Sequence, residues 1–440
     1  MDTENYTYVY YNVDTKGFDN SLIKSKMYKW NESVTYTILN NDSSKITFED
    51  DTTRTTKLYR SIILDENQNI IGFAPPNSIS YEQFVEKQPE ITDSIYANEI
   101  VEGTMLNLFY DRRIQSWQLS TRGAVGANYW FYRNQYGESE TTQKTFREMF
   151  VEGFHVPMDT DINCIPFIQL LPKNYSYSFV LQHPENHIVM NITEPTLYLV
   201  AIYEISNTRV TSIPLVVYET WDIFENDATP IVHFPKKYNE TNYSDYMTNY
   251  CNANSDYKCM GIMFTNLITG DRMAMSNKAY EDVKKFRGNN PNLQFQFYTL
   301  EKSFKTDSFL YYFPMYKPLF ERFSREYQDF ITNVHQSYFS YYVKKEGIPI
   351  AKRFFIHASK IHHNMFIPAM VEGNKIIITR TVVKSYFDAL SPSEMVYYLN
   401  YDQKQIGKAA KVVDPDPTSS EMVLSEPTSS EMSSPEIISV

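Results

Sequence analysis

Cysteine is scarce in this chain: Cys164, Cys251 and Cys259 are the only three in 440 residues, and no CxxC pair occurs. That excludes a disulfide framework and leads to the expectation of a reducing, intracellular compartment. Long apolar runs are missing as well. No stretch of about 18 apolar residues suggests a membrane span, and no signal-like segment is recognisable at the start. Positive charge is also in short supply, with 41 Lys and Arg against 53 Asp and Glu, a net charge of −12. Strong generic binding to a phosphate backbone is therefore not expected. A local basic groove stays open, because the distribution of charge matters more than its sum.

What is present describes a folded chain. Hydrophobic residues make up 42% and charged residues 21%, the balance of a globular protein, and the length allows two or three domains. The 36 tyrosines and 28 phenylalanines suit sheets and amphipathic helices.

The most informative stretch is Asn98–Tyr132. Its apolar runs Glu99–Tyr110 and Trp117–Thr121 flank the polar turn Asp111-Arg112-Arg113, a hairpin pattern. Gly103 interrupts the first run, and glycine inside a strand marks a close approach of backbone or ligand. Lys57–Leu64 and Asn69–Phe73 form a second hairpin signal, ended by Pro75-Pro76. Phe146, Met149, Phe150 and Phe154 recur at helical steps within Glu140–Phe154, a core-facing stripe. Tyr175–Gln182, Leu197–Ile205 and Arg209–Tyr218 read as strands. Lys236–Asn254, rich in asparagine, reads as an exposed connection.

Beyond about 300 the pattern becomes helical. Leu319–Tyr342 carries aromatic residues at helical spacing, and Ser391-Pro392-Ser393-Glu394 is a capping box with proline at the first helical position. His357, His362 and His363 lack the i,i+4 spacing of ligands on one helix face, so packed or solvated histidines are expected and no metal. From Asp414 onward Pro, Ser and Glu dominate, and Pro-Thr-Ser-Ser-Glu-Met occurs twice, a tail expected to be disordered.

In order and spacing these pieces resemble phage-type RNA ligases, ATP-dependent nucleotidyltransferases, and their relatives in large DNA viruses. The family's first motif, Lys-x-Asp/Glu-Gly-Ser/Thr, corresponds to Ile100-Val101-Glu102-Gly103-Thr104, and its Ser/Thr-Arg-Gly to Thr121-Arg122-Gly123. Phe179, Pro184, Asn186, Ile188 and Val189 match a later motif, with Val180 where the family has a carboxylate and His187 where it has arginine. Met260-Gly261 stands for Glu-Gly. Arg272-Met-Ala-Met-Ser-Asn277 stands for Arg-x-Lys-x-Lys/Arg-Asn, and Arg60 and Pro75 fit the strand pair before the first motif. The resemblance covers about residues 55–300.

It implies an α+β fold: a twisted antiparallel-sheet nucleotidyltransferase core over 1–300, a helical C-terminal domain over 301–410 and a tail over 411–440. It also implies a nucleotide cleft holding Glu102, Gly103, Arg122 and Arg272. The family's chemistry needs a neutral lysine amine to attack the α-phosphorus of ATP, carboxylates to hold Mg²⁺, and cations facing the phosphates. Here the corresponding residues are Ile100, Val180, Met260, Ala274 and Ser276. No catalytic residue, metal or cofactor is therefore expected. The reading is a pseudo-nucleotidyltransferase that binds RNA ends, a nucleotide or a partner protein, located in the cytoplasm or, if viral, the virion. Two alternatives stand beside it. One is an active ligase with a relocated nucleophile, Lys87 and Lys173 being the nearest lysines. The other is a structural or packaging protein of a large virus.

Overall fold

The computed structural model describes residues 8–42, 56–129, 144–224, 231–288 and 292–402. The repeat-bearing tail and residues 140–143 of the first helix expectation lie outside them. The chain forms two compact units, the first running to Arg287 and the second beginning at Gly288. The fold is α+β, with antiparallel sheets in the first unit and helices in the second.

The strands described are β1 (Val9–Asn12), β2 (Ile23–Lys29), β3 (Thr35–Asn41), β4 (Ile62–Leu64), β5 (Ile70–Phe73), β6 (Ile95–Glu99) and β7 (Thr104–Asp111). They continue as β8 (Ser116–Ser120), β9 (Tyr175–Gln182), β10 (Thr196–Ser206), β11 (Arg209–Ile213), β12 (Gly261–Asn266) and β13 (Arg272–Ser276). Three sheets result, ordered β1-β11-β10-β9-β7-β8, β13-β12-β6 and β2-β3-β4-β5. The interior strands β7 and β9 are buried along nearly their whole length, and their buried polar residues Asn107 and Ser178 bond each other at 2.7 Å. Edge strand β2 instead exposes Lys24, Lys26 and Lys29, and such charge discourages pairing with another chain.

On the six-stranded sheet lies the helix Phe146–Glu152. Thr145 and Glu148 close a reciprocal capping box, and Phe150 meets Phe179 edge-on at 5.5 Å. The three-stranded sheet is covered by helices Tyr81–Lys87 and Tyr243–Tyr250, which bring Phe84, Tyr243 and Tyr246 against Phe264.

Three expectations are corrected here. The run Glu99–Tyr110 forms the expected hairpin with β8 only from Thr104; Glu99 ends β6 in another sheet, and 100–103 cross between the two sheets. Arg209–Tyr218 is strand only to Ile213; Pro214 has no N–H for the ladder, and Leu215–Tyr218 turns into one helical turn. Lys236–Asn254 is no mere exposed connection. Asn242 caps the helix Tyr243–Tyr250, and the two tyrosines three apart supply a buried face hidden among polar residues.

In the second unit the longest helix is Lys317–Tyr338, with Phe320, Phe323, Phe330, Ile331, Val334 and Tyr338 buried; a π-helical turn, Phe339–Lys344, extends it. Helix Pro392–Leu399 begins at the expected Ser391–Glu394 box. His357 is buried beside Tyr386, His362 stacks on Tyr342 and Phe366, and His363 is exposed. Among the described residues no three His, Cys, Asp or Glu side chains gather as a metal site.

Candidate functional site

The segment Ile100–Gly103 crosses from the three-stranded to the six-stranded sheet. Between these sheets lies a cavity of about 80 Å³, walled by β6, β12 and β13 on one side and by β1, β9, β10 and β11 on the other. Ile100, Val101, Val180, Met263 and Ile213 give it an aliphatic wall, and Tyr11, Tyr96, Tyr203 and Tyr218 a phenolic one. Among the described residues, Glu99 and Arg272 are its only charged lining residues, and no lysine lines it.

Each motif position has a definite place. Ile100 is buried, and its N–H donates to the Gly261 carbonyl at 2.9 Å, stitching the crossing to β12. Glu102 is buried, and its carboxylate accepts N–H bonds from Ile188 (2.8 Å), Val189 (3.1 Å) and Met190 (3.3 Å). It therefore ties the crossing to the loop after β9, and it does not line the cavity. Gly103 has φ +156°, and a Cβ there would sit 2.4 Å from the Leu181 carbonyl oxygen. Gly261 is in the same position against the Met275 carbonyl, again at 2.4 Å. Both glycines let one strand approach another, a requirement of the fold rather than of a ligand.

Arg272 lines the cavity. One of its five N–H donors reaches the Pro76 carbonyl at 3.1 Å, and no carboxylate among the described residues pairs with it. Burial pushes its pKa down and the phenols of Tyr203, Tyr11 and Tyr218 oppose this, but a guanidinium stays protonated at physiological pH. Arg122 does not line the cavity; it is partly exposed, and its carbonyl accepts from Asn40 Nδ2 at 3.0 Å. Of the expected set, then, the structure places Ile100 and Arg272 at the cavity, Glu102 and Gly103 in the crossing beside it, and Arg122 away from its walls. Of the remaining positions, Val180 lines the cavity and Met260 is buried outside its lining. Ala274 and Ser276 lie on β13, Ser276 exposed.

Cationic groups nearby are engaged elsewhere. Lys57 and Lys87 both pair with Asp271, holding its carboxyl below the usual range against the opposing effect of burial. Lys237 pairs with Glu219, and the Glu99 carboxylate accepts the Lys236 N–H at 2.9 Å.

Sequence reasoning missed Tyr11, Tyr96, Tyr203 and Tyr218. They come from four separate elements, and no local spacing links them.

An antiparallel core with a cavity between two sheets, bounded by remnants of a nucleotidyltransferase motif set, defines an RNA-ligase-like class. Comparison with known proteins agrees at the level of sequence. The chain is 23% identical over 269 residues to an immediate-early protein ICP-46 homolog of Invertebrate iridescent virus 6, covering 56% of this chain and 53% of that protein. It is 29% identical over 105 residues to an RNA ligase of Rhodothermus phage RM378, covering 24% of this chain and 22% of the ligase. The chain thus spans about half the length of the first relative and about a fifth of the second. No protein-family model matches it. Two solved structures of Naegleria gruberi RNA ligase variants align with 60% and 63% of the chain, and with 98% and 87% of their own. Identities are 10% and 12% and TM-scores 0.30 and 0.33, too low to add weight. The chain is RNA-ligase-like, with relatives among large DNA viruses.

Proposed function

We propose that this protein is a pseudo-nucleotidyltransferase, an RNA-ligase-like chain that has lost adenylyl transfer and acts by binding. The observation that carries the reading is the cavity at the crossing segment. Ile100 stands where the nucleophilic lysine belongs, and no other lysine lines the space. Removing one preorganised electrostatic group costs about 10²–10³ in rate, and a missing nucleophile has no substitute. Size supports the same reading. A dry cavity of roughly 150 Å³ holds one benzene, so about 80 Å³ is small for a buried purine.

A relocated nucleophile finds little support. Lys87 is held by Asp271, and Lys173 lies over the Tyr110 ring at 4.5 Å; neither lines the cavity. The net charge of −12 favours a protein partner over a bare RNA backbone.

Intact-mass spectrometry after incubation with ATP and Mg²⁺ tests this directly. The expected result is the unmodified mass; a single added adenylate would overturn the proposal. Ile100→Lys alone is also expected to stay unlabelled. The new amine would meet no carboxylates at 180 and 260 and no cations at 274 and 276.

A further inference from the structure

The cavity holds polar groups that its own walls leave unserved. The hydroxyls of Tyr96 and Tyr218 are both buried, and neither has a hydrogen-bond partner. Tyr218 is 1% exposed, and its hydroxyl lines the cavity rather than the surface. Both residues line the same space as Arg272, whose bond to Pro76 leaves further N–H donors over. Tyr218 feels the charge of both Tyr96 and Arg272. Burial drives both phenols far above their ordinary pKa, so each keeps its proton and remains a donor. A buried donor without an acceptor is costly, and two phenols and a guanidinium lining one cavity are unusual for a folded interior.

All three groups offer protons or positive charge. Their complement is an acceptor-only group carrying negative charge, small enough for about 80 Å³. None of the nearby carboxylates bonds the two hydroxyls: Glu99 accepts the Lys236 N–H, Glu219 pairs with Lys237, and Asp271 pairs with Lys57 and Lys87. We propose that the cavity is a binding site for a phosphate-sized oxyanion, held by the Arg272 guanidinium and the hydroxyls of Tyr96 and Tyr218. This rests on the reading that adenylyl transfer is lost, and it gives the abandoned site a ligand class of its own. With about 80 Å³ available, size limits the ligand to the anion itself rather than a nucleoside attached to it.

Inorganic phosphate is the probe, titrated into the full chain by calorimetry and thermal unfolding, with chloride at matched ionic strength as control. Phosphate should bind and raise the melting temperature. Tyr218→Phe and Tyr96→Phe keep the rings and remove only the hydroxyls, so both should fold; each should weaken phosphate at least several-fold. Arg272→Gln should weaken it about tenfold to a hundredfold, the loss of charged hydrogen bonds. Without phosphate, Tyr218→Phe should be no less stable than the wild type, since it deletes an unpartnered hydroxyl. Absence of a phosphate-specific shift, or one equal in all variants, would overturn the proposal. So would ATP binding more tightly than phosphate with the same dependence on Arg272, which would make the site a nucleotide pocket. An adenylate adduct in the mass assay would overturn the pseudoenzyme reading instead, so the two failures are separable.

Discussion

At the scale of single residues, the motif remnants separate into those the fold requires and those only the reaction requires. Gly103 and Gly261 persist where a Cβ would strike a carbonyl oxygen of a neighbouring strand. Glu102 persists because three backbone N–H groups converge on its carboxylate. The positions where the resembled motifs carry reacting groups, at 100, 180, 260, 274 and 276, hold apolar or small residues. The separation makes predictions about stability. Gly261→Ala should destabilise by about 2–4 kcal/mol, because the clash is with backbone that cannot swing aside. Denaturant titration reads this, and a change under ~0.5 kcal/mol would show the strands can part freely. Glu102→Ala should cost about 3 kcal/mol by orphaning buried amides, while Glu102→Gln, which keeps one acceptor oxygen, should cost clearly less. Equal losses for the two would mean that charge, not amide pairing, is what the site needs.

At the scale of elements, the helix Lys352–Ile361 carries the clearest pH dependence. His357 is fully buried among Phe330, Phe387, Tyr386 and Tyr398, with Nδ1 3.1 Å from the Tyr386 hydroxyl. Burial, aided by Lys360, lowers its pKa from 6.5 to about 4. Between those values the unfolded chain binds the proton and the folded chain does not. The stabilisation is therefore complete above about pH 6.5, declines as pH falls, and is gone near pH 4, amounting to roughly 3 kcal/mol. Hydrogen exchange at Lys352–Ile361, corrected for intrinsic rates, should show protection falling from pH 7 to 4.5. His357→Phe should flatten that dependence, and an unchanged slope in the variant would assign it to other groups.

At the scale of the whole molecule, charge governs what the surface can do. With a net charge of −12, and with Lys57, Lys87 and Lys237 committed to carboxylates, no extended basic track is expected to follow a polynucleotide. The full chain should pass a heparin column without retention at about 0.15 M salt, where the screening length is about 8 Å. Retention would point to a basic groove and restore RNA as the favoured partner.

The sequence by itself determined what depends on near neighbours. The strand Tyr175–Gln182, the capped helix at Ser391 and the aromatic stripe at Phe146–Phe150 were legible because alternation, capping and helical steps are local signals. So were the residue types at the positions that resemble the family's motifs, with Ile100 where the resemblance implies lysine. The crossing at 100–103 from one sheet to another was not legible, since an apolar run does not say where the chain leaves one sheet for the next. The helix Tyr243–Tyr250 was hidden because its buried face consists of two tyrosines that gain meaning only against Phe264. Tertiary structure alone turned Glu102 from a site carboxylate into a clamp on 188–190. It alone gathered Tyr96, Tyr218 and Arg272 around one cavity. Residues 122 and 176 positions away from Tyr96 in the chain meet only when two sheets close on each other.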